Sequence, residues 1–226
     1  MGGVAPREST PDPGRDRTDA LVLTPVSAAA LARLDRFVEH LLAWQAHTNL
    51  IAGSTIPTVW TRHVADSLQL IDLAPAADRW VDFGAGGGFP GLAVACVLAD
   101  RPGAVVHLVE SRIKKANFLR EVAQALDLPV EVHAERAENC GDRLAGQADV
   151  VTARALASLS ILCGYALPLV RQGAVALFLK GQDVELELTE ASKYWTIQAE
   201  LIPSRTSAAG RIVRISSLSK RGRQKK

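Results

Sequence analysis

The chain has 226 residues, 48% hydrophobic and 22% charged, with a net charge of +2, which suits one medium domain plus an appendage, able to bury roughly 70% of the surface its unfolded form exposes. No stretch approaches the roughly 20 continuous apolar residues of a membrane span, and Glu8, Asp12, Asp16 and Asp19 stand where a secretory leader would be apolar, so no membrane partner is expected and the cytoplasm is the expected location. Cys96, Cys140 and Cys163 are odd in number, far apart and without histidines at ligand spacing, which argues against disulfides and metal and for packed thiols.

Residues 1–24 mix Gly, Pro, Asp and Arg with no apolar period, and are expected to form a disordered tail. Leu31, Leu34, Phe37, Val38, Leu41 and Leu42 then recur at three- and four-residue spacing behind Ser27, predicting an amphipathic helix with a serine N-cap. A second helix is predicted from Ser54–Pro57, with Pro in its first turn and Val59, Val64, Leu68 and Ile71 facing the core. Together they make a helical extension over 25–76.

After Pro75 the period changes. β-rich runs at Trp80–Phe83, Ala104–Val109, Val130–His133, Ala148–Thr152 and Ala174–Leu179 alternate with helical stretches at about 90–99, 112–126 and 157–170. Such alternation predicts an α/β fold with a mostly parallel, doubly wound, Rossmann-like sheet. Residues 193–217 read as an antiparallel edge hairpin closing a domain of 77–217, and 218–226 as a basic tail. No heptad repeat is present, so a coiled-coil dimer is not expected and a monomer is favoured.

The most informative stretch is Val81-Asp82-Phe83-Gly84-Ala85-Gly86-Gly87-Gly88-Phe89-Pro90-Gly91. A strand ends, glycines let the backbone turn and approach a ligand, and Pro90 is placed to open a helix. Two ligands compete for this loop. Gly86, Gly88 and Gly91 satisfy G-x-G-x-x-G, with Glu110 at the spacing of a ribose-binding acid, which formally allows a nicotinamide dinucleotide. Asp82, Gly84, Gly86 and Gly88 instead give D-x-G-x-G-x-G, the pattern of S-adenosylmethionine methyltransferases. An acid before the loop opposes a pyrophosphate, and Pro90 removes a helix-start donor that a pyrophosphate would use, so S-adenosyl-L-methionine is the favoured cofactor. Glu110, ending the second strand, can accept bonds from both ribose hydroxyls, or else caps the next helix. Glu135-Arg136-Ala137-Glu138 follows the third strand where such enzymes meet adenine, or is a plain charged loop.

Taken together, several blocks resemble the glucose-inhibited division protein B (GidB, or RsmG) family of bacterial 16S rRNA guanine-N7 methyltransferases, from about Leu31 to Ile215. They are Trp44 with Asn49-Leu50, Arg62-His63 with Asp66-Ser67, the glycine loop through Phe89-Pro90-Gly91, Lys114-Lys115 with Phe118-Leu119, Arg136-Ala137-Glu138, Ala153-Arg154-Ala155 and Leu179-Lys180-Gly181. Gly87, Thr152 and Ile51-Ala52 are mild departures. The resemblance implies a class I methyltransferase fold and places Gly84, Phe89, Ala137, Glu138 and Arg154 at the cofactor, beside Asp82, Gly86 and Glu110 from the loop reading. It makes Arg154, Lys180 and Arg136 candidate guanine or phosphate contacts and leaves His63 in a local polar network with Arg62 and Asp66.

The reaction the resemblance implies attacks through guanine N7, which carries a lone pair and no proton. It therefore needs positioning and no general base, and no catalytic acid or base is assigned. Residues 201–226 hold eight Lys or Arg and no acid, against 18 basic and 24 acidic side chains in the first 200. That segregation fits a phosphate-rich partner, here 16S rRNA or the small ribosomal subunit, although a solvated tail gives the same pattern. The alternatives are a methyltransferase for another RNA, a protein or a small molecule, an NAD-dependent oxidoreductase, and a non-catalytic RNA-binding module.

Overall fold

A computed structural model describes residues 12–222. Its first element corrects the sequence expectation. Pro13–Leu23 is helix α1, where low apolar content predicted disorder. Its order comes from a few specific contacts: the Asp16 carboxylate accepts the Trp60 backbone N–H at 2.8 Å and that of Thr61 at 3.2 Å. Arg17 forks onto Asp35 with two bonds of 2.7 Å and lies over the Trp60 ring.

Helix α2 spans Ala28–Gln45, with Ser27 Oγ accepting from Ala30 N at 3.1 Å. It buries Ala30, Leu34, Phe37, Val38 and Leu41, whereas Leu42, expected on that face, points outward. The second predicted helix is broken. A 3-10 turn at Gly53–Thr58 contains Pro57, a π-helical turn covers Trp60–Ala65, α3 is only Asp66–Leu68, and another 3-10 turn follows at Ile71–Leu73. Pro57 cannot donate to a regular ladder, and the Asp16 carboxylate already takes the amides that open the next turn.

The sheet comprises β1 Arg79–Phe83, β2 Val105–Val109, β3 Val130–His133, β4 Val150–Arg154, β5 Val175–Lys180, β6 Trp195–Pro203 and β7 Arg211–Lys220. Their order is β3-β2-β1-β4-β5-β7-β6, with β1 to β5 parallel and β7 antiparallel to both neighbours. Between the strands run α4 Gly91–Leu98, α5 Ile113–Ala125, α6 Gly141–Leu144, α7 Leu159–Arg171 and α8 Val184–Ala191. Helices α6 and α8 have no counterpart in the sequence reading. The last strand continues to Lys220 and Leu218 is buried, so residues 218–220 belong to the sheet and not to the expected tail at 218–226. Arg223, Lys225 and Lys226 lie outside the described residues.

Strand alternation divides the core between the two sheet faces. Trp80, Leu108, Val150 and Leu177 face a layer with α2, α4 and α5; Val81, Phe83, Val151 and Phe178 face α6 and α7. The helical extension therefore shares the first core layer with the domain it precedes. Asp82 and Thr152 fall on that same face, at partnered positions of β1 and β4, where an apolar residue would be the ordinary choice. All three cysteines are free and buried, and burial pushes the Cys96 and Cys163 thiols up to about 12. No described helix is long and apolar enough to cross a membrane.

Candidate active site

The sheet order reverses between β1 and β4, and in open α/β sheets the carboxyl ends at such a switch point form the binding crevice. Two clefts open there. The smaller, about 320 Å³, is walled by Gly84, Gly86, Glu110, Arg112, Glu135, Ala137 and Leu156 among others; the larger, about 770 Å³, includes Phe89, Arg62, His63, Asp66, Arg154 and Lys180. They meet over Gly84, Gly86, Lys115 and Ala155.

The loop after β1 requires glycine at the junction. Gly84 and Gly86 have φ of 71° and 54°, left-handed values that strain any residue with a Cβ. Glu110, at the end of β2, holds this turn: one carboxylate oxygen accepts Gly86 N at 3.0 Å and the other accepts Arg112 N at 2.7 Å. Both clefts also touch Ala155, whose φ of 52° is a strained value for alanine at the end of β4.

Asp82 lies beneath the loop, 1% exposed, and lines neither cleft. Its carboxylate accepts Gly91 N at 2.9 Å and Thr152 Oγ1 at 2.9 Å, tying the first turn of α4 to β4. Burial in the apolar layer pushes its pKa up to about 7, against the pull of those two bonds. The acid expected beside the cofactor thus supports the loop from behind.

In the larger cleft, Phe89 is stacked between neighbours. Its ring lies 4.9 Å from Phe37, 5.1 Å from His63 at an interplanar angle of 27°, and 5.4 Å beneath the Arg154 guanidinium. Arg154 donates to Arg62 O at 3.2 Å and sits 3.7 Å from Asp66 Oδ2; burial lowers its pKa despite the Asp66 and Asp82 charges. Thr55 Oγ1 donates to Ala52 O at 2.7 Å, so its 2.8 Å contact with His63 Nε2 receives the imidazole proton. His63 Nδ1 is then a bare acceptor, buried and without a partner among the described residues. Burial, reinforced by Arg154 and Arg62, drives this imidazole down to about 3.

Other predicted residues are placed differently. Ala137 lines the smaller cleft, but Glu138 lines neither and pairs at 3.6 Å with Arg136, whose side chain is 74% exposed. Lys180 reaches the larger cleft, yet its ammonium donates to Ala157 O and Glu187 Oε2, both at 2.7 Å. Glu187 comes from α8, and the same oxygen accepts Leu159 N at 2.6 Å. Asp66 is likewise committed, accepting from Thr206 Oγ1 at 2.7 Å and Gln69 Nε2 at 2.9 Å, which docks the β6–β7 loop against α3.

The sequence reading missed Thr152, whose role depends on register with a residue 70 positions earlier. It also missed a trio on the outer strands: His107, Glu131 and His133 bring potential ligand atoms within 4.8 Å of one another and could hold a cation. Arg143 Nη1 is 3.5 Å from His133 Nδ1, which therefore accepts, so His133 Nε2–H donates to His107 Nδ1 at 3.1 Å. That is a hydrogen-bonded neutral pair, consistent with burial lowering both histidines.

The sheet order and the clefts at its switch point define a class I S-adenosylmethionine-dependent methyltransferase fold. Solved structures share it. A Podospora anserina methyltransferase bound to SAH superposes with a TM-score of 0.61 at 16% identity, covering 95% of this chain and 98% of that one. The O-methyltransferase of Bacillus cereus in complex with SAH gives 0.59 at 16% identity, over 89% and 96%. The family model GidB, rRNA small subunit methyltransferase G, matches residues 30–211, and the chain belongs to that family. It is 55% identical over 219 residues to the ribosomal RNA small subunit methyltransferase G of Nitrobacter hamburgensis, covering 96% of this chain and 84% of that protein. Against the protein of the same name from a Bradyrhizobium species it is 56% identical, covering 91% and 93%.

Proposed function

We propose that this protein transfers a methyl group from S-adenosyl-L-methionine to N7 of a guanine in the 16S rRNA of the small ribosomal subunit, acting in the cytoplasm. The observation that carries the reading is the pair of clefts meeting over a left-handed glycine turn, in a chain of this family.

The residues fit the cofactor. Gly84 and Gly86 form a cradle that a Cβ would strain, and the Glu110 carboxylate and Ala137 line the smaller cleft for a nucleoside. Asp82 keeps the glycine loop and α4 in place through Gly91. When bound, the cofactor supplies an electrophilic methyl on a sulfonium centre. The larger cleft offers Phe89, with Arg154 above it, as the wall against which a base is oriented.

Among the described residues none there is equipped as a strong proton acceptor. Asp66 and Glu187 are both engaged by donors, and the His63 imidazole, at about 3, is a poor base at neutral pH. Guanine N7 requires none, so catalysis rests on holding the base in line with the methyl group. His63→Gln should accordingly retain the single-turnover rate of methyl transfer within about tenfold, and its pH profile between about pH 6 and 8 should overlay that of wild type. A bell-shaped profile on the chemical step that His63→Gln abolishes would overturn the positioning mechanism.

A further inference from the structure

Five cations line the larger cleft: Arg62, Lys115, Arg154, Lys180 and Arg211. Two are answered by the two acids that line it, Arg154 by Asp66 at 3.7 Å and Lys180 by Glu187 at 2.7 Å. Among the described residues Arg62, Lys115 and Arg211 pair with no carboxylate. The side chains of Arg62 and Lys115 donate no hydrogen bond there, and Arg211 spends only Nη1, on Ala208 O and Gly210 O at 2.8 Å each. Five cations against two carboxylates leave the cleft with a formal net charge of about +3.

The three come from different elements: the π-helical turn at 60–65, α5 and the start of β7. Arg211 is the strand partner of Lys180, so a free cation stands beside a neutralised one. Lys115 Nζ lies 4.0 Å from where a Cβ on Gly86 would be, over the glycine turn where the two clefts join. An uncharged base would need no such charge. The anionic backbone on either side of it would, and guanidinium forks with an ammonium are the donors that suit phosphate oxygens.

We propose that Arg62, Lys115 and Arg211 form a phosphate-binding triad that holds the RNA backbone flanking the nucleotide entering the larger cleft. The assignment rests on the RNA substrate proposed above. It moves backbone contact away from Arg154 and Lys180, whose charges are spent inside the protein, and gives it to three residues that grip the strand without reading sequence.

The test is the salt dependence of binding to a small-subunit rRNA transcript, measured for wild type and for Arg62→Gln, Lys115→Gln and Arg211→Gln. Each lost phosphate contact should reduce the slope of log K against log salt by about 0.7 on single-stranded RNA, and the triple variant by about 2. Cofactor affinity by calorimetry should remain unchanged in Arg62→Gln and Arg211→Gln, which line the larger cleft alone, and Arg211→Lys should keep the wild-type slope. Arg171→Gln, exposed at the far end of α7, is the control and should also keep it. Unchanged slopes in all three variants would overturn the proposal, as would a loss of cofactor affinity in Lys115→Gln with its slope intact, which would assign that lysine to the cofactor. If wild type binds RNA with a slope the variants flatten but forms no 7-methylguanosine, the proposed reaction falls and the triad stands; methylation with unaltered slopes gives the reverse.

Discussion

Gly91→Ala is expected to destabilise the protein by about 3 kcal/mol, a drop of about 10 °C in melting temperature for a chain of this length. An added Cβ would lie 2.2 Å from Leu108 Cδ2, 2.8 Å from Asp82 Oδ2 and 3.1 Å from Asp82 Cβ. Leu108 is fully buried in the layer between sheet and helices and has little room to retreat. Relief must come from α4 moving off the sheet, which stretches the Gly91 N–Asp82 bond and shifts the glycine loop above it. Cofactor affinity should therefore fall along with stability. Gly53→Ala is the matched control: nothing lies within 4 Å of its added Cβ, and its effect should stay within about 0.5 kcal/mol. Thermal unfolding of the two variants, with calorimetric titration of the cofactor, checks both statements. A Gly91→Ala protein with wild-type melting and affinity would show that Asp82 does not fix the helix start.

The second large effect is a pair of opposite pH dependences. Asp82, raised to about 7 by burial, is protonated in the folded protein across the mildly acidic range and ionised in the unfolded chain. His63, lowered to about 3, is neutral when folded and protonated when unfolded. Between about pH 4 and 6.5 folding takes up one proton at Asp82 and releases one at His63, so the two contributions cancel. The Asp82 contribution lowers stability as pH rises, and the His63 contribution lowers it as pH falls. His63→Leu removes the second, and the variant should gain about 1.4 kcal/mol per unit relative to wild type as pH decreases through this window. Asp82→Asn removes the first and should gain by the same amount as pH increases. Denaturant unfolding of the three proteins at several pH values measures the slopes. Curves that run parallel to wild type would mean that neither group leaves its ordinary titration range on folding.

Five strands and three of the helices around them were legible to within two residues because periods of 2 and 3.6 are local properties of the chain. Helix α1 was not, since its order depends on Asp16 finding the amides of Trp60 and Thr61 more than 40 positions away. Helix α8 was hidden for another reason: Val184-Glu185-Leu186-Glu187-Leu188 alternates as a strand would, and Leu186 is exposed.

The site divides along the same line. Gly84, Gly86 and Glu110 line the clefts where motif spacing after a strand puts them, and Ala137, given by the resemblance, lines the smaller one. The partners of Asp82 and Lys180 were not readable, because Thr152 and Glu187 meet them only through strand register and an unforeseen helix. The family resemblance marked Lys180 as a candidate ligand contact, and only the folded chain shows that Glu187 neutralises it while Lys115 and Arg211 have no acidic partner among the described residues.

The central claim is tested most directly by incubating the full chain with methyl-labelled S-adenosylmethionine and small ribosomal subunits, or naked 16S rRNA, from cells lacking the enzyme, then analysing the nucleosides. Label in 7-methylguanosine, at one guanine of the RNA, is the predicted result. Measurable cofactor binding with label in no RNA, or label in another nucleoside, would contradict it.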